Sequence, residues 1–192
     1  DKQDCIYSEE GCTQGDVAAM GLYALGVRPL TDVLAESIDK GECKQSWYAD
    51  DSTAVGQLLE IKKWWDKLCI EGPKFGYYPK ASKTVLIVKD NSLINRAKEV
   101  FGDSGVVITS EGERHLGAVI GSDEFRKGYV SGKSEKWIED VTELAKIAIE
   151  EPQAALSAYT KAICHRWTYL QRTITEIKEL FQPLEDCIRN TF

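Results

Sequence analysis

The stretch Gln45-Ser46-Trp47-Tyr48-Ala49-Asp50-Asp51-Ser52-Thr53-Ala54-Val55 reads as a strand, a tight turn and a return strand. Its centre, Tyr48-Ala49-Asp50-Asp51, sets two adjacent carboxylates at the apex of a hairpin. Such a pair repels itself, and a cation that neutralises it relieves the repulsion. Held on a turn, at least one oxygen pair faces outward, where a hard divalent ion such as Mg²⁺ can reach it. Asp-Asp also suits an ordinary polar turn, so these four residues alone leave both readings open.

Outward from the hairpin, the pattern alternates between helix and strand. Upstream, Gly11 to Gly15 is a loop. The apolar face Val17, Met20, Leu22, Tyr23 and Leu25 then predicts a helix ending at Gly26, with Pro29 beyond it. Leu30, Val33, Leu34 and Ile38 predict a second short helix. Downstream, Leu58, Ile61, Trp65, Leu68 and Cys69 predict an amphipathic helix that stops at Gly72-Pro73. Thr84 to Lys89 is a β-branched run of strand length. Asn91 to Phe101 reads as a helix with Leu93, Ala97 and Val100 inward. Val106 to Thr109 and His115 to Ile120 read as strands joined by a polar turn at 110–113. From about Ser134 the pattern is helical: Trp137, Val141, Leu144 and Ala148, then a break at Pro152. Two more stripes follow, Leu156, Tyr159, Ile163, Trp167, Leu170 and Ile174, Ile177, Leu180, Leu184, Ile188. The class is therefore α+β, with a mixed part, 1–121, followed by an all-helical segment, 122–192.

With 192 residues, 43% of them hydrophobic and 29% charged, the chain can bury a core. It has no apolar run long enough to span a bilayer and no secretory leader, which predicts an intracellular protein of cytoplasm or nucleus, neither secreted nor in a membrane. Asp1 stands where an initiator Met would, and the helical pattern is still running at Phe192, so the chain reads as an excerpt. Six cysteines, at 5, 12, 43, 69, 164 and 187, show no zinc spacing and read as structural thiols. The net charge of −7 is uneven. Residues 1–51 hold 4 basic and 11 acidic side chains, whereas Lys62 to Lys98 hold 9 basic and 3 acidic. An acidic quarter suits a cation and the basic neighbour a polyanion, although solvated helix faces give the same statistics.

Four segments in order resemble the palm motifs of reverse transcriptases. Gly11-Cys12-Thr13-Gln14-Gly15-Asp16 is similar to the glycine-bearing loop that opens a helix after the first catalytic strand. Tyr48-Ala49-Asp50-Asp51 resembles the metal-binding hairpin, Ser82-Lys83-Thr84 the lysine-bearing segment beyond it, and His115-Leu116-Gly117 the short Leu-Gly hairpin at the primer end. Trp167-Thr168-Tyr169-Leu170-Gln171-Arg172-Thr173 and Gln182-Pro183-Leu184-Glu185 resemble the helical region after the palm in retroelement polymerases. Together these segments are far more specific than any one of them.

The resemblance implies a partial polymerase palm, an antiparallel sheet with packed helices, followed by a thumb-like or connector segment. It implies template-directed transfer of deoxynucleotides to a primer 3′-hydroxyl by a two-metal mechanism. Asp50 would be the main ligand for Mg²⁺ (or Mn²⁺) and Asp51 its partner. Tyr48 would set the hairpin beside the primer, and Gln14 and Gly15 would line the template and nucleotide side. Lys83 would neutralise or protonate the departing pyrophosphate, and His115, Leu116 and Gly117 would contact the primer. The implied partners are an RNA or DNA template with its primer, and deoxynucleoside triphosphates. Two features depart from the pattern. Val17 stands where many relatives carry Pro, and no strand-borne Asp precedes Gly11. Without that ligand, the chain alone is expected to polymerise little or nothing. The alternative is a non-catalytic remnant or a co-opted nucleic-acid- or protein-binding module. A third reading is an unrelated α+β protein with the Trp137 and Trp167 stripes as contact surfaces.

Overall fold

The computed structural model describes residues 15–191; Gln14, Cys5 and Cys12 lie outside them. Helices and small sheets are mixed, as the α+β reading requires. The described chain forms two compact units, 15–84 with Glu99–Gly105 and Val85–Lys98 with 106–191. Residues 106–121, which the sequence pattern joins to the first part, therefore cluster with the helical half.

The first unit opens with α1 (Ala19–Glu36), where the Asp16 carboxylate accepts from the Ala18 amide at 2.7 Å. This is one helix where the sequence predicts two, for it runs straight through Gly26 and Pro29. Proline removes one N–H and crowds the carbonyl four residues back, that of Leu25. Leu25 is 73% exposed, so water can serve that carbonyl, while the fully buried Leu30 and Leu34 hold the second half in place. The hairpin follows as β1 (Cys43–Tyr48) and β2 (Asp51–Gly56), paired antiparallel from Cys43↔Gly56 to Tyr48↔Asp51. Gly56 is required by contact: a Cβ there would lie 2.1 Å from the Glu42 carbonyl oxygen. Helix α2 (Leu58–Glu71) then buries Trp64, Trp65 and Leu68 and stops at Gly72-Pro73 as predicted. Cys69, read as inward, is exposed. It sits about 100° around the helix from Leu68, and the bulk of the two indoles centres the buried stripe away from it.

In the second unit, β3 (Val85–Ile87) pairs with β4 (Val107–Thr109) in parallel. The antiparallel sheet implied by the resemblance is thus not uniform, because these strands are joined by a helical crossover that returns the chain in the same direction. That crossover carries α3 (Ile94–Phe101). The residues of α3 from Glu99 on belong to the first unit; Ala97 and Phe101 are buried and Leu93, read as inward, is exposed. Strands β5 (Gly112–His115) and β6 (Ala118–Gly121) form the last ribbon. The sequence pattern puts the turn at 110–113 and a strand over 115–120. The structure turns at Leu116-Gly117 instead, both with positive φ (48° and 82°), as a two-residue hairpin demands. Each described sheet has two strands.

The helical half begins with α4 (Asp123–Glu150), capped by the Ser122 hydroxyl accepting from the Phe125 amide at 3.2 Å. Then come α5 (Pro152–Lys161), α6 (Thr168–Thr173) and α7 (Gln182–Thr191). The stripe from Leu156 to Leu170, read as one helix, is broken at Ala162 and passes through a 3₁₀ turn at Ile163–His165. As a result Ala155 is buried and Leu156 exposed. Trp137 packs at ring-centroid distances of 6.0 Å from Trp167 and 6.2 Å from Phe181. Around them Val130, Val141, Leu144, Ile174, Ile177 and Leu184 close the core. The tryptophan stripe is core packing. Among the described residues, no helix is long and apolar enough to cross a membrane.

Candidate functional site

The tip of the first ribbon is built by alternation. On β1, Cys43, Gln45 and Trp47 turn inward, while Lys44, Ser46 and Tyr48 are exposed. Tyr48, at 64% exposure, pairs with Asp51 and shares its face. Asp50 and Asp51 are both exposed. Only Ala49 and Asp50 lie between the strands, and Ala49 adopts φ 52°. The left-handed region costs an L-residue about 1–2 kcal/mol, so this turn persists because its surroundings select it.

Two sets of contacts do the selecting. Beneath the ribbon, Gln45 Oε1 accepts from the indole N–H groups of Trp47 at 3.0 Å and Trp64 at 2.9 Å, while its amide donates to the Thr31 carbonyl at 2.7 Å. One glutamine thereby ties the ribbon to α1 and α2. At the tip, the Tyr77 hydroxyl donates to the Asp50 carbonyl at 2.8 Å and lies 3.0 Å from Ser52 Oγ. Its ring meets Trp47 edge-on at 5.2 Å. Burial first, and then the charges of Asp50 and Asp51 against the opposing Ser52 hydrogen bond, push the Tyr77 phenol above its ordinary pKa. Tyr23, on α1, is raised by burial and then by Tyr77 and Asp50.

The other residues singled out by sequence are placed as follows. Gly15 is exposed with φ 94°, and Gln14 beside it is outside the described residues. Lys83 is exposed in the 3₁₀ turn Ala81–Lys83 of the hairpin's own unit, not on a strand edge. His115, Leu116 and Gly117 form the hairpin of the second unit. There Tyr169 donates its hydroxyl to the Leu116 carbonyl, and the Tyr129 hydroxyl stands 3.5 Å from the Gly117 carbonyl. Each ribbon is thus held at its tip by a tyrosine from a distant segment. The sequence pattern assigns none of these tyrosines to a ribbon tip, although Tyr169 lies within the quoted stretch 167–173, because a contact across 27 or 53 residues leaves no local signature.

The donor chemistry of Asp50 and Asp51, hard oxygens in water at a tip, fits one side of a Mg²⁺ site. Among the described residues, no group of three His, Cys, Asp or Glu side chains gathers. The basic stretch is also more neutral than its count. Lys62 pairs with Asp66, Lys63 with Glu60, and Lys67 and Lys74 both with Glu71. No protein-family model matches the chain, no curated protein is significantly similar to it in sequence, and no solved structure matches its fold.

Proposed function

We propose that this chain belongs to an RNA-directed DNA polymerase of retroelement type, with Asp50 and Asp51 as its hairpin metal ligands. The observation that carries the reading is the exposed Asp50-Asp51 pair at the apex of a two-residue β-hairpin whose tip is tied down from outside the ribbon. The ordered motifs of the sequence add to it. Asp50 and Asp51 would hold Mg²⁺, or Mn²⁺, which when bound supplies charge neutralisation at the primer hydroxyl and the triphosphate. The chain's own part is to present both carboxylates in a fixed relation. In this reading Tyr48, beside Asp51 on the exposed face, lies against the primer, Gln14 and Gly15 face the template and nucleotide, and Lys83 meets the pyrophosphate. His115, Leu116 and Gly117 contact the primer end. Residues 1–121 would then correspond to a partial palm and 122–192 to a thumb-like or connector segment.

The test is extension of a DNA primer on an RNA template in Mg²⁺ by the protein that carries this chain. Asp50→Ala should lower the rate by several orders of magnitude, because ion positioning supplies most of the catalysis. Equal rates would overturn the reading. The alternative is a non-catalytic remnant or a co-opted binding module. That module would bind nucleic acid or protein equally well with Asp50→Ala.

A further inference from the structure

We infer that Tyr77 is a positioning residue that sets the relation between the two carboxylates of the Asp50-Asp51 tip. The Asp50 carbonyl oxygen belongs to the peptide unit that joins Asp50 to Asp51. Whatever fixes the plane of that unit fixes the direction in which one side chain leaves relative to the other. Tyr77 reaches it at 2.8 Å from outside the ribbon. The phenol is itself held, by Ser52 Oγ at 3.0 Å and by the edge of Trp47 at 5.2 Å. Its backbone is anchored too: the Tyr77 amide donates to the Gly72 carbonyl at 2.9 Å. The approach there is so close that a Cβ on Gly72 would lie 2.6 Å from the Tyr77 carbonyl oxygen. The strut therefore runs from the end of α2 to the tip.

A strut is needed because the turn does not hold itself. Ala49 sits at φ 52° without glycine's freedom, so other peptide orientations compete at this turn. A hydrogen bond from a rigid neighbour selects one of them. The inference rests on the proposed metal role of Asp50 and Asp51, and its test separates the two.

Mn²⁺ is titrated into the chain and free ion is followed by its electron paramagnetic resonance signal, for wild type, Asp50→Asn, Tyr77→Phe and Ser52→Ala. Tyr77→Phe should weaken Mn²⁺ binding about three- to tenfold, the range one hydrogen bond supplies, with circular dichroism and melting temperature close to wild type. Ser52→Ala, which keeps the Tyr77–Asp50 bond, should change it less than about twofold by the same reasoning. Wild-type affinity in Tyr77→Phe alongside weak binding in Asp50→Asn overturns the positioning role. Undiminished binding in Asp50→Asn overturns the metal reading instead. The strut is then decided by NMR, where Tyr77→Phe should move the amide shifts of Asp50 and Asp51 and the Ala49 HN–Hα coupling; an unmoved tip overturns it. Without any variant, wild-type order parameters below about 0.6 at Asp50 and Asp51 would also overturn it.

Discussion

The indole N–H of Trp64 donates to Gln45 Oε1 at 2.9 Å, joining α2 to a strand nineteen residues earlier. The same oxygen accepts from Trp47, and the same side chain donates to Thr31. Trp64 is only 5% exposed, so water cannot replace the acceptor if it is lost. Trp47 is half-buried and better able to find one. The cost of removing Gln45 should therefore come mainly from Trp64 and the Thr31 carbonyl.

Gln45→Leu should destabilise the first unit by about 1–3 kcal/mol, the penalty for orphaned buried polar groups. Gln45→Glu keeps an acceptor for the indoles but sets a carboxylate oxygen against the Thr31 carbonyl in a part-buried site, so its loss should be at least as large. Urea unfolding monitored by tryptophan fluorescence ranks the two. A Gln45→Leu midpoint equal to wild type would mean the indoles find other acceptors.

The β5–β6 ribbon depends on two glycines that face each other, Gly112 and Gly121. A Cβ on Gly121 would lie 2.3 Å from the Glu111 carbonyl oxygen and 2.4 Å from Gly112 Cα, which are backbone atoms that cannot swing aside. Gly121→Ala should cost more than about 2 kcal/mol, as overpacking against main chain does. Gly128, exposed within α4 with nothing near its Cβ position, gives the opposite sign. Gly128→Ala should stabilise by about 0.5–1 kcal/mol through helix propensity. Thermal melts of both variants check the pair.

Glu71 closes α2 and accepts from Lys74 at 2.8 Å and Lys67 at 3.1 Å. These two hydrogen bonds hold its pKa below the ordinary glutamate value. A carboxyl with a lowered folded pKa adds stability above its unfolded pKa, and that contribution is lost as pH falls through the folded value. The loss should begin near pH 4, where a free glutamate titrates, and continue below it. Glu71→Gln should be less stable than wild type at pH 7, with the difference shrinking toward pH 3. Denaturant midpoints measured across that range test the sign, and a constant difference would mean the ion pairs add nothing.

Much of the fold was legible because it rests on local pattern. The hairpin around Ala49-Asp50, the stop of α2 at Gly72-Pro73 and the break at Pro152 are set by turn chemistry and proline geometry within a few residues. The errors lie where distant packing overrode a local signal. Pro29 reads as a helix stop, yet Leu30 and Leu34 bury so completely that the helix continues across it. The polar run at 110–113 reads as a turn, yet the facing glycines 112 and 121 pull it into a strand and move the turn to Leu116-Gly117. The apolar stripe through Tyr159 and Ile163 reads as one helix, yet it breaks at Ala162.

The same division runs through the candidate site. The order of residues alone placed Asp50 and Asp51 side by side at a ribbon apex, since a period of two and a two-residue turn need no help from afar. Only the folded chain decided what holds that apex, for Tyr77 and Gln45 act through hydrogen bonds to groups remote in sequence, Thr31, Asp50 and Trp64. Burial and hydrogen bonding depend on what lies nearby in space, and a linear pattern records only what lies nearby along the chain.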